Sequence, residues 1–171
     1  MNVSEPPDHR PVPLLLGNLP LPEAHLALLG VGIVLQAVRP LPLPAFGGRL
    51  AAMGAGALMG AATVAIVSAT QAAGRVDLAA PDRLVTRGPY ALTRHPMYEA
   101  WTAIYAAVGV ALRNGWLAAL LPLLLVLVHR ETSREDARLR ERFGAEHARY
   151  AERAPRYLTL RIAEILRSGP R

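Results

Sequence analysis

Apolar and polar positions alternate along this chain in long blocks rather than at single-residue spacing, and the blocks are the first guide to its fold. From Leu19 to Val38 the residues are apolar apart from Glu23 and His25 near the start, which predicts a first membrane helix. "RPLPLPAFGG", Arg39 to Gly48, follows as a proline-punctuated turn. Leu50 to Ala73 then runs for 24 positions without one charged side chain. A helix rising about 1.5 Å per residue crosses a hydrocarbon core of about 30 Å in roughly 20 residues, so this block predicts a full crossing. Gly56 and Gly60 within it form a small-xxx-small pair, compatible with close approach of another helix or with no special partner. Two shorter apolar blocks, Pro96 to Leu112 and Trp116 to Val128, are separated only by "RNG", Arg113 to Gly115. So short a link predicts a tight antiparallel hairpin. From His129 onward the pattern is charged and helical, with Leu139 and Phe143 on one face and a stop at Pro155.

These blocks predict an all-α polytopic membrane protein of about four transmembrane helices, the last two a hairpin, followed by a cytoplasmic C-terminal helix. Residues 1–18 are proline-rich and polar, with an apolar stretch too short for a signal peptide, and are expected to form a disordered tail. Residues 19–171 are expected to form one membrane domain.

Charge supports the topology. The 19 basic residues are all arginine and face 13 acids, for a net charge of +6. With four crossings one side receives Arg10, four arginines between Arg75 and Arg94 and eleven from Arg130 onward. The other side receives Arg39, Arg49 and Arg113. Arginine accumulates on the cytoplasmic side of membranes, so both termini are expected there. A nucleic-acid arm is the competing reading of the basic tail. Its acids interleave with the arginines from Glu131 to Glu152, which suits a solvated interfacial helix better than a phosphate-tracking surface. With no cysteine there is no disulfide framework or thiolate metal site, and no metal is expected.

The chemistry concentrates in "RGPYALTRHPMYEAW", Arg87 to Trp101, at the mouth of the hairpin. The hairpin's arms bring this loop beside "ETSREDARL", Glu131 to Leu139, so His95 and its neighbours are expected to meet carboxylates at the bilayer surface. Charged groups at that depth are costly unless partnered. The alternative is an interfacial belt of Arg, Tyr and Trp that only anchors helices.

Residues Arg83 to Tyr157 carry a resemblance. Leu84-Val85, Gly88 with Tyr90, Arg94-His95-Pro96 with Tyr98, Glu135-Asp136, Phe143-Gly144 and Tyr150 stand in the order of a known pattern, with a hairpin between its halves. The set resembles the isoprenylcysteine carboxyl methyltransferase and phospholipid methyltransferase group of integral-membrane enzymes. What the resemblance implies is methyl transfer from S-adenosylmethionine to a lipophilic or small acceptor at the membrane. It implies a cofactor site built from 82–98 and 130–150, contacted by Arg83, Leu84, Val85, Tyr90, His95, Pro96, Met97, Tyr98 and Glu135. Glu135 suits the ribose diol, the tyrosines suit an amphipathic wall, and His95 suits the amino-acid end. No catalytic residue is singled out; His95 and Glu99 are the groups that could take a proton from an amine or thiol, whereas a carboxylate acceptor needs no base. Glu131 stands where the family pattern has an arginine for the substrate carboxylate, with Arg130 and Arg134 as stand-ins. Isoprenylcysteine, a lipid amine and a small thiol all stay open as acceptors, as does a non-catalytic relative. For Glu99 two readings stand, an acceptor-site charge or a favourable acid in the first turn of a helix.

Overall fold

A computed structural model describes residues 23–43, 48–74, 76, 78 and 81–158. The expected tail, 1–18, lies outside them, as do 19–22 and 159–171. The described residues form an all-helical protein: α1 (Glu23–Val38), α2 (Arg49–Ala73), a 3-10 turn (Gly88–Ala91), α3 (Pro96–Ala111) and α4 (Gly115–Arg153). α1 packs on α4, α4 on α3, and α3 on α2.

Local chemistry fixes the ends. Pro96 opens α3, where its missing N–H costs no helical bond. The turn to α4 places Arg113 at φ 51°, and the buried Asn114 caps α4 by accepting from the N–H groups of Trp116 at 3.0 Å and Leu117 at 3.2 Å. The Asn114 amide also donates to Gly32 O at 3.0 Å, tying the hairpin turn to α1. Gly115 is required here: its N–H donates to Leu41 O at 2.6 Å, and a Cβ would collide with that carbonyl.

The apolar hairpin arm and the charged segment after it were expected as separate helices. They form one helix, unbroken from Gly115 to Phe143 and about 43 Å long at 1.5 Å per residue, before a kink. No proline or glycine interrupts it between Val128 and Gly144, so nothing stops the helix where its composition changes. About a third of that length exceeds a 30 Å hydrocarbon core, and that part carries the charges. The helix breaks instead at Gly144, with φ 49° and ψ −118°, a conformation that L side chains rarely adopt. The kink turns His147, Tyr150 and Ala154 inward.

Two helices, α2 and α4, are long and apolar enough to cross a membrane. α1 and α3 have 16 residues each. Val34, Leu50, Met53 and Val64 stand 60–75% exposed, an apolar exterior that suits lipid contact. Gly56 and Gly60 belong to that exterior, since a Cβ on either would meet nothing within 4 Å. The core is apolar along the hairpin, where Tyr105, Leu117, Leu124 and Val128 cluster against Leu28 and Leu29 of α1. It turns polar at the end where α1 and α3 begin.

Candidate functional site

Four helical positions spaced by four, Leu124, Val128, Thr132 and Asp136, form the buried stripe of α4, and the last lies beyond the apolar part of the helix. Asp136 is 2% exposed, so its charge must be met locally. One oxygen, Oδ2, accepts from Arg156 Nε and Nη2, both at 2.9 Å, and lies 3.3 Å from Arg94 Nη2. The other, Oδ1, faces His95 Nε2 at 3.2 Å and His147 Nε2 at 3.7 Å. His95 carries a second carboxylate at its opposite nitrogen, with Nδ1 3.5 Å from Glu135 Oε2. The imidazole is thus clamped between neighbouring residues of one helix.

The loop that presents His95 is anchored from the far end of α4. Tyr150 donates its hydroxyl proton to Tyr90 O at 2.8 Å, and Arg94 N–H donates to Pro155 O at 2.9 Å. Glu99, in the first turn of α3, accepts from the Thr93 hydroxyl and from Leu158 N–H at 2.9 Å. Glu99 sits where the helix-start reading put it, and its carboxylate is taken up in fastening the chain that follows α4.

Burial by itself lowers the pKa of His95, but the hydrogen bonds and charges of Asp136 and Glu135 outweigh it and hold the imidazole above its ordinary 6.5. Burial would raise Asp136, yet His95, Arg94 and Arg156 hold it down at about 2, against an ordinary 3.8. His147 goes the other way: burial lowers it, the Arg94 and Arg140 charges add to this, and Asp136 offsets them only in part. Tyr90 is pushed up by burial, with the Glu135 carboxylate adding to the effect. His95 therefore holds its proton to higher pH in the folded state than a free imidazole does. Its contribution to stability is complete below pH 6.5 and is lost as pH rises through its raised value, whereas that of Asp136 is present above pH 3.8 and lost as pH falls toward 2. Unfolding in mixed micelles should show the protein more stable at about pH 5 than at about pH 9. A flat profile over that interval would contradict the upward shift of His95.

The expected site residues divide into two groups. His95, Pro96, Met97, Tyr98, Tyr90 and Glu135 come together. The His95 and Tyr98 rings meet edge-on at 6.0 Å, Met97 packs with Tyr90, and Glu135 is 31% exposed beside them. Arg83, Leu84 and Val85 instead line a hollow of about 240 Å³ against Ala72 and Ala73 at the end of α2. Val85 links the groups by packing on the Tyr90–Met97 cluster. Met97 and Tyr98 also line a cavity of about 430 Å³ with Glu23, His25, Trp101, Arg130, Glu131 and Arg134. That cavity lies within the usual range for small-molecule sites. Arg130 and Arg134, the two stand-ins for the missing arginine, both reach it alongside Glu131. Across Tyr98 and Val128, a more apolar groove of about 520 Å³ runs between α3 and α4, with Glu99, His129 and Tyr157 among its lining residues. Among the described residues no group of acids and histidines is arranged to hold a metal.

A sequence model of the phospholipid methyltransferase family matches residues 48–146, more than half of the chain. The chain belongs to that family. No curated protein and no solved structure matches it. The matched span of this phospholipid methyltransferase family member begins at α2, a helix whose sequence is generic, and extends to the Gly144 kink. It contains the hairpin, His95 and both carboxylates, and membership implies a membrane methyltransferase. α1, with Glu23 and His25, lies outside it.

Sequence reasoning passed over Asp136, Arg156 and His25. Asp136 was visible as half of an acidic pair, but which half turns inward depends on how α4 is rotated. Arg156 reaches Asp136 only because Gly144 bends the chain. His25 had no local motif to mark it.

Proposed function

We propose that the protein transfers the methyl group of S-adenosylmethionine to an acceptor drawn from the bilayer. The observation that carries this reading is the convergence of His95, Glu135, Tyr90 and Tyr98 beside a cavity that reaches among the helices. The donor set fits the cofactor. Glu135 is a partly exposed carboxylate able to accept from a ribose diol, and among the described residues His95 is its one close polar partner, which leaves it free to accept further bonds. Tyr90 and Tyr98 supply aromatic walls, and the adjacent carboxylates suit a positively charged sulfur. Bound there, the cofactor supplies an already activated methyl group, so the protein's task is mainly alignment and exclusion of water. Both His95 nitrogens are occupied, so its role is to hold Glu135 in place rather than to exchange protons.

In this reading all four helices traverse the bilayer, both termini face the cytoplasm, and the motif loop with the charged half of α4 forms the cytoplasmic end. The arginine tally supports that orientation. Isoprenylcysteine, phospholipid amines and small thiols are the acceptor classes to compare. The purified chain in detergent should bind S-adenosylmethionine with one-to-one stoichiometry by calorimetry, and membranes containing it should incorporate labelled methyl into lipid. Absence of donor binding would overturn the proposal.

A further inference from the structure

An acceptor that carries a proton on its nucleophilic atom needs a base, and neither residue suggested by the motif is free to be one. His95 has a carboxylate at each nitrogen. Glu99 accepts from Thr93 and from Leu158. His25 of α1 differs. It is 4% exposed and lines the 430 Å³ cavity together with Glu23, Tyr98, Trp101, Arg130 and Glu131.

The protonation pattern of His25 follows from its one hydrogen bond. Thr102 has a single hydroxyl proton and donates it to Tyr98 O at 2.8 Å. With that proton on Tyr98 O, the 3.0 Å contact between Thr102 Oγ1 and His25 Nε2 pairs the hydroxyl with a ring N–H, the tautomer on which this inference rests. A neutral imidazole has one N–H, so Nδ1 is left with its lone pair. Among the described residues nothing donates to Nδ1.

We infer that His25 is the proton acceptor for methyl transfer to the ammonium group of a lipid held in this cavity, an inference that rests on the methyltransferase reading above. The lining agrees with that acceptor class. Glu23 and Glu131 complement an ammonium, and Arg130 and Arg134 complement an anionic group on the same headgroup. Glu131 is shared with Arg134 at 3.4 Å and Arg138 at 3.5 Å, which leaves Glu23 as the freer acid. A carboxylate acceptor would have no proton for His25 to take and would meet two acids. In the transfer, Nδ1 takes one ammonium proton and the freed amine lone pair forms the new N–C bond. The methyl–sulfur bond breaks with its electron pair remaining on sulfur, and the imidazolium then returns its proton to water at the cavity mouth.

The test is His25→Gln in the full chain, because a glutamine amide can still donate to Thr102 but takes no proton at neutral pH. Assayed with ethanolamine phospholipid in choline-phospholipid vesicles, the variant should lose at least about 100-fold in kcat. Donor affinity by calorimetry should stay within about twofold. A second measurement needs neither turnover nor a variant: carbethoxylation of wild-type His25, mapped by mass spectrometry, should be blocked by the ethanolamine lipid without any donor. Normal donor binding with normal turnover in the variant would overturn the role of His25 alone, as would labelling that the lipid leaves unchanged. A wild-type chain that binds no donor would overturn the methyltransferase reading and this inference together.

Discussion

Replacing Asp136 with asparagine lowers the unfolding free energy by about 3 kcal/mol, the low end of the range for breaking a buried ion pair. The size follows from the imbalance left behind. Arg94 and Arg156 direct positive charge, and His95 a ring nitrogen, at a carboxylate that is 2% exposed, and among the described residues no second acid is buried with them. Arg94 and Arg156 are 13% and 25% exposed, so water relieves part of their cost, which keeps the figure at the low end. The same substitution removes the main group that raises the His95 pKa, so the stability difference between pH 5 and pH 9 should shrink in the variant. Denaturation of wild type and Asp136→Asn in mixed micelles at both pH values checks the two effects together. Equal stability of the two chains at pH 5 would show that the cations are satisfied by water instead.

The importance of Asp136 bears on how much the sequence could reveal. Long uniform blocks were legible: the uncharged run to Ala73 is α2, and the three-residue link at Arg113 is the hairpin turn, because chain length and composition alone decide both. The continuation of α4 past Val128 was not legible, because a helix does not stop where apolar residues give way to charged ones. It stops where the backbone must change, and that is Gly144. The meeting of His95 with Glu135 was legible for a topological reason, since a tight hairpin returns its arms to the same level. Finer choices required three dimensions. Neighbouring residues on a helix point about 100° apart, so Glu135 and Asp136 look alike in sequence while one reaches the surface and the other the core. His25 and Thr102 are 77 positions apart, and only the packing of α1 beside the hairpin makes them partners. Arg83 to Val85 entered the expected site through their motif, yet they line a hollow against α2.

The two neighbouring acids should therefore fail in different assays. Glu135→Ala leaves the fold nearly intact, since the residue is 31% exposed and its ion contact with His95 spans 3.5 Å. A partly exposed pair of that length contributes at most about 1 kcal/mol. Its effect should fall on S-adenosylmethionine instead. A hydrogen bond to a charged acceptor is worth about 1.5–3 kcal/mol, so losing the carboxylate proposed to receive the ribose diol should weaken donor binding by roughly 10- to 100-fold. Glu135→Gln keeps an acceptor oxygen but not the charge, and should fall between the two. Calorimetry on detergent-solubilised protein, with unfolding measured on the same samples, separates binding from stability. If Glu135→Ala holds the donor as tightly as the parent chain, the carboxylate does not touch the cofactor, and its contact with His95 serves only to position the loop.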